Sequence, residues 1–65
     1  MNGDSMDRLL LTTTEAADRL GVGKSTLYDL IRSRRLRTVR IGRRRLVPPE
    51  ALAETIALLL EEEAL

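Results

Sequence analysis

Apolar positions change their spacing along the chain, and each change marks an element. Leu9-Leu10-Leu11 is a short apolar run, suited to a strand or an anchoring segment rather than a helix. From Thr12 the pattern turns helical, with Ala16, Ala17 and Leu20 at i, i+1 and i+4. Thr12 and Glu15 have the capping-box spacing, in which the hydroxyl accepts from the amide of residue 15 and the carboxylate from that of residue 12. Gly21 stops this first helix, predicted over about 13–20, at a position where a left-handed backbone favours glycine. Gly21-Val22-Gly23 is then a tight connection with one apolar plug. A second helix is predicted over about 24–34, capped by Gly23, Lys24 or Ser25. Leu27, Leu30 and Ile31 share one of its faces. Ser25, Tyr28, Asp29 and Arg32 occupy the opposite face, with Lys24 and Thr26 at the amino end.

Beyond Leu36 the period falls to two. Thr38-Val39-Arg40-Ile41 alternates, placing Val39 and Ile41 on one face and Arg40 on the other. Gly42-Arg43 suits a two-residue type II′ hairpin loop, and Arg44-Arg45-Leu46-Val47 returns as the second strand of a hairpin over 38–47. Pro49 suits the first turn of a third helix, predicted over about 49–63, with Glu50 favourable beside its positive end. Leu52, Ile56 and Leu59, with Leu60 beside them, form its expected buried stripe, leaving Leu58 and Leu65 off it. Glu61-Glu62-Glu63 lies at the helix carboxyl end, where negative charge is unfavourable and fraying is expected. The expected core is Leu27, Leu30, Ile31, Val39, Ile41, Val47, Leu52 and Ile56. Residues 1–8 have no periodicity and read as a flexible N-terminus, with Met6 an alternative start. The fold class is mainly α, a small α+β domain over 9–63 with three helices and a two-stranded hairpin. Two short helices joined by a Gly-containing turn, the second with a polar face, make a helix-turn-helix pattern.

At 65 residues the chain forms at most one small domain, which excludes most enzymes. It has no cysteine and no histidine, so disulfides, thiolate or imidazole metal sites and Cys- or His-based catalysis are excluded. One aromatic residue, Tyr28, offers little for stacking single-stranded bases. No apolar run spans a bilayer and no secretory segment opens the chain, so a cytoplasmic location is expected.

The net charge of +1 conceals strong segregation. Residues 1–18 carry one base against four acids, residues 19–45 ten bases against Asp29 alone, and residues 46–65 five glutamates with no base. Arg32 to Arg45 holds eight arginines and no acid, a density that calls for an outside anion. Phosphate matches the guanidinium fork. Gly23-Lys24-Ser25 resembles the end of a phosphate loop, but that motif needs a glycine where Asp18 stands and a preceding strand. Asp29 is isolated in a basic segment, better placed to hold an arginine than to activate water. No catalytic residue, cofactor or metal is expected.

The ordered blocks Leu10 to Val22, Lys24 to Arg32, Val39 to Arg44 and Val47 to Leu52 contain Leu-Thr-x-x-Glu-Ala-Ala-x-x-Leu-Gly-Val, Ser-Thr-Leu-Tyr-x-Leu-Ile-Arg, Val-Arg-Ile-Gly-Arg-Arg and Val-Pro-x-Glu-Ala-Leu. This string resembles the excisionase-like winged helix-turn-helix domains, relatives of the MerR-type DNA-binding domain, over about residues 9–60. The resemblance implies a bacterial, phage or mobile-element protein, associated with the nucleoid, that reads double-stranded DNA. It implies a recognition helix in the major groove bearing Lys24, Ser25, Thr26, Tyr28 and Arg32. It also implies a wing on the adjacent minor groove or backbone bearing Arg40, Arg43, Arg44 and Arg45. The chain departs from the family at Arg34-Arg35, where the turn often contains glycine, and at Arg45, where an aromatic is common. Arg45 thereby becomes an added candidate contact.

The favoured reading is an architectural DNA-binding protein, an excisionase that steers an integrase, with neighbouring copies of itself as further partners on DNA and no membrane or small-molecule ligand. A MerR-type regulator would continue into a dimerising coiled coil, whereas this chain reads as ending with its DNA-binding domain. A small MerR-like transcriptional regulator is the alternative. A protein-interaction module that docks an acidic partner is a third reading. RNA fits less well, since an exposed helix suits the wide major groove of DNA.

Overall fold

The computed structural model describes residues 9–64, so the expectations for residues 1–8, the alternative start at Met6 and the placement of Leu65 lie outside the described residues. The elements run β1 (Leu11–Thr12), α1 (Thr13–Leu20), α2 (Lys24–Arg32), β2 (Val39–Ile41), β3 (Arg44–Val47) and α3 (Pro49–Ala64). The three helices and the hairpin are those expected from the sequence. The sheet gains a third strand, however: its order is β1-β3-β2, all antiparallel, with Leu11 opposite Val47 and Val39 opposite Leu46.

The local signals for α1 act as the chain chemistry predicts. The Glu15 amide donates to Thr12 Oγ1 at 3.0 Å and the Thr12 amide donates to Glu15 Oε1 at 2.9 Å. At the other end Gly21 has φ 75°, its amide donates to Asp18 O, and the Val22 amide donates to Ala17 O. This pair of bonds is the Schellman arrangement, and Val22 packs against the core as its apolar companion.

α2 ends by the same device without a glycine. The Arg34 amide donates to Ile31 O and the Arg35 amide to Leu30 O, while Arg34 takes φ 65°. It is the one non-glycine residue at positive φ among the described residues. The helix therefore stops at Arg32, two residues before the expected end, because the left-handed turn has already begun. In the hairpin loop Gly42 has φ 62° and Arg43 is not at positive φ, as a type II′ turn requires.

The core comprises Leu11, Ala16, Ala17, Leu27, Leu36, Val47, Ala51 and Leu52, with Leu20, Val22, Leu30 and Ile31 packed against it. Three expected core residues are instead exposed: Val39, Ile41 and Ile56. For the strands the reason is parity. The two-residue loop pairs Ile41 with Arg44 and Val39 with Leu46, so Val39 and Ile41 share a face with Leu46, and Val47 points the other way with Leu11. Leu11 and Val47 are the strand residues that enter the core. In α3 the inward residues are Ala51, Leu52 and Thr55, and the stripe is rotated away from Ile56. Leu59 is half-buried and Leu60 is exposed. α3 continues to Ala64, one residue past the expected end. Arg35 Nε donates to both carboxylate oxygens of Glu62 at 2.9 and 3.0 Å, which offsets the unfavourable charge at that helix end.

Helix α3 also grips the segment that joins α2 to the hairpin. Fully buried Thr55 donates from Oγ1 to the Arg35 carbonyl at 2.8 Å. Leu36 enters the core, and Arg37 donates from Nε and Nη2 to the two Glu54 oxygens at 2.8 and 2.9 Å. Arg35 and Arg37 are thus tied to α3 on either side of buried Leu36, which fixes the segment leading into the hairpin.

Candidate nucleic-acid interface

The outward face of α2 forms a shallow groove of about 450 Å³ lined by Lys24, Ser25, Tyr28, Asp29 and Arg32. These positions fall at i, i+1, i+4, i+5 and i+8, one stripe of the helix opposite buried Leu27. Four of the five residues expected on this helix are therefore brought together. Thr26 is exposed but lies round the helix from the groove, and Asp29 lines the groove on the polar face expected for it, the one acid among the lining residues. The expectation that Asp29 would hold an arginine is met by Arg32, three residues on.

Gly23 caps α2 in an extended conformation (φ −77°, ψ 168°) with no side-chain cap, and the first turn contains no acid. Its first-turn amides thus lack a side-chain partner at the helix start, the end at which the helix dipole is positive. Tyr28 is exposed, and its hydroxyl donates to Thr13 Oγ1 over a long 3.4 Å, leaning the side chain toward the start of α1. Asp29 accepts from Arg32 Nη2 in an exposed pair.

The hairpin presents Arg40, Arg43, Arg44 and Arg45, all exposed. Arg40 and Arg45 are directly opposed across β2 and β3, so two like charges stand on one face. Like charges directly opposed across two strands are destabilising. Arg45 Nη1 donates to Thr38 Oγ1 at 2.8 Å, which holds its stem along the strand. Arg44 lies on the other face opposite Ile41, and Arg43 forms the loop tip.

The arginine block as a whole is less free than its sequence suggests. Of its eight arginines, Arg32, Arg35 and Arg37 have carboxylate partners in Asp29, Glu62 and Glu54. The Arg37–Glu54 hydrogen bond and attraction raise the arginine pKa above its ordinary value and lower that of the glutamic acid. The inference that the entire block awaits an outside anion is thereby corrected: Arg35 and Arg37 brace α3. Lys24, Arg34, Arg40, Arg43, Arg44 and Arg45 have no carboxylate partner among the described residues.

A helix-turn-helix domain family matches residues 10–57. The chain is 49% identical over 47 residues to a protein of Streptomyces ambofaciens named "Excisionase", covering 72% of this chain and 76% of that one. It is 40% identical over 58 residues to a protein of Saccharopolyspora erythraea named "Probable excisionase", covering 89% of this chain and 59% of that one. The chain thus spans less than two thirds of the length of this second relative. No solved structure matches.

Proposed function

The chain belongs to the excisionase-like helix-turn-helix family, and from that premise we propose that it binds double-stranded DNA as an excisionase, steering an integrase toward excision. The observation that carries this reading is the pairing of an acid-free helix start without a side-chain cap, on a polar groove, with a hairpin whose four arginines lack carboxylate partners among the described residues. In this reading α2 lies in the major groove. Lys24, Ser25 and the first-turn amides anchor a phosphate, and Arg32 reads a guanine edge through its paired donors. The hairpin is the wing: Arg43 and Arg44 reach the adjacent minor groove or backbone, and the opposed Arg40 and Arg45 share a phosphate oxygen cluster. The protein acts by binding and shaping DNA rather than by catalysis. Exposed Glu61 and Glu63 at the end of α3 meet the basic wing of the next copy along the duplex.

Titration of a labelled duplex at several salt concentrations tests the binding. Neutralising about five phosphates gives a log-affinity against log-salt slope of roughly −4 to −5. A slope near zero, or displacement by an acidic protein but not by duplex DNA, would overturn the reading. An excision assay with the integrase of the same element tests the recombination role, and sedimentation on one-site and multi-site duplexes tests contact between copies.

A further inference from the structure

One member of the α2 groove has a charge of the wrong sign for the partner proposed above. The Asp29 carboxylate is 67% exposed beside Lys24, Ser25, Tyr28 and Arg32, and would face a polyanion. A carboxylate there opposes every duplex alike, whatever its sequence. Its position in the second half of α2 also sets it against the helix dipole. Nor is the pair with Arg32 a substantial source of stability, because the arginine side chain is 70% exposed and solvent screens the attraction.

We propose that Asp29 is a specificity-determining residue, aiming Arg32 at a base edge and away from the phosphates. The proposal rests on the duplex-binding reading. An unrestrained arginine is long enough to settle on whichever phosphate lies nearest, and that contact carries no sequence information. Asp29 Oδ1 occupies one donor position on Nη2 and leaves the remaining N–H groups of the fork for O6 and N7 of a guanine. The other carboxylate oxygen accepts from the N4 amino group of a cytosine and repels phosphate and the acceptor atoms of guanine. Discrimination then comes from a repulsive element as well as an attractive one. The cost in general affinity is the counterpart of that selectivity.

The test starts from a randomised duplex pool enriched on the parent protein. The enriched duplex, its single-base-pair variants and a random-sequence duplex are then titrated with the parent, Asp29→Asn, Arg32→Ala and the double variant. Asp29→Asn is expected to bind the random duplex a few-fold more tightly, while preference at one base pair falls about tenfold, the scale of a single base-edge contact. Preferences elsewhere persist, and Arg32→Ala added to Asp29→Asn removes little further selectivity at that pair. Undiminished preference in Asp29→Asn, or an equal loss of affinity on all duplexes, would overturn the proposal while leaving the duplex-binding reading intact. A parent protein that binds no duplex would end both.

Discussion

Replacing Thr55 with valine tests whether α3 is the brace that positions the wing. Thr55 is fully buried, and its hydroxyl donates at 2.8 Å to the Arg35 carbonyl, on the segment between α2 and β2. Valine preserves the shape and removes the donor, so the carbonyl loses its partner in a partly buried setting. Such a loss costs about 1–2 kcal/mol, the lower part of the range for an abandoned buried acceptor. A domain this small has only about 3–5 kcal/mol to lose. At ~4–8 °C per kcal/mol, Tm should fall by about 5–15 °C, read by circular dichroism during thermal unfolding. Hydrogen exchange should also quicken in Leu36 to Ile41 before it does in α1, because the bond tethers that segment. An unchanged or raised Tm would refute the assignment of Thr55 as a necessary tie, and uniform quickening throughout the chain would refute its local action.

Arg34→Gly should stabilise the protein by about 0.5–1 kcal/mol, since a left-handed backbone costs an L side chain about 1–2 kcal/mol and part of the gain is lost to glycine's freedom when unfolded; denaturant titration measures it. Glu54 has its pKa lowered by Arg37, so its contribution is present above the unfolded glutamate value near 4.3 and is lost as pH falls through the lower folded value. Glu54→Gln should accordingly flatten the acid limb of the stability profile, an effect that shrinks in high salt because the pair is exposed. Arg43→Ala with Arg44→Ala should reduce the steepness of the salt slope by up to about two units without lowering Tm. Arg32→Ala should relax preference at one base pair by roughly 1–3 kcal/mol in duplex titrations, leaving preferences elsewhere in place.

Features that depend on near neighbours were legible in the amino-acid order. The Thr12–Glu15 cap, the glycine stop at Gly21, the Gly42-Arg43 loop and the polar stripe of α2 each involve residues within one or two turns of each other. Their geometry is set by backbone sterics and short hydrogen bonds, which act before distant contacts form. The opposite faces of Val39 and Val47 follow from the two-residue loop, which fixes which strand residues oppose each other, although both were expected in the core. Which face would be buried was not legible. That was decided when Leu11 paired with Val47 and brought α1 over that side of the sheet. The arginine partners were likewise hidden, since Arg37 and Glu54 lie 17 residues apart and Arg35 and Glu62 lie 27 apart. Charge runs state how much like charge a segment carries, but packing determines which cations meet carboxylates on a neighbouring helix. Here α3 took two arginines for the brace, and the folded arrangement left the wing and the start of α2 to face outward.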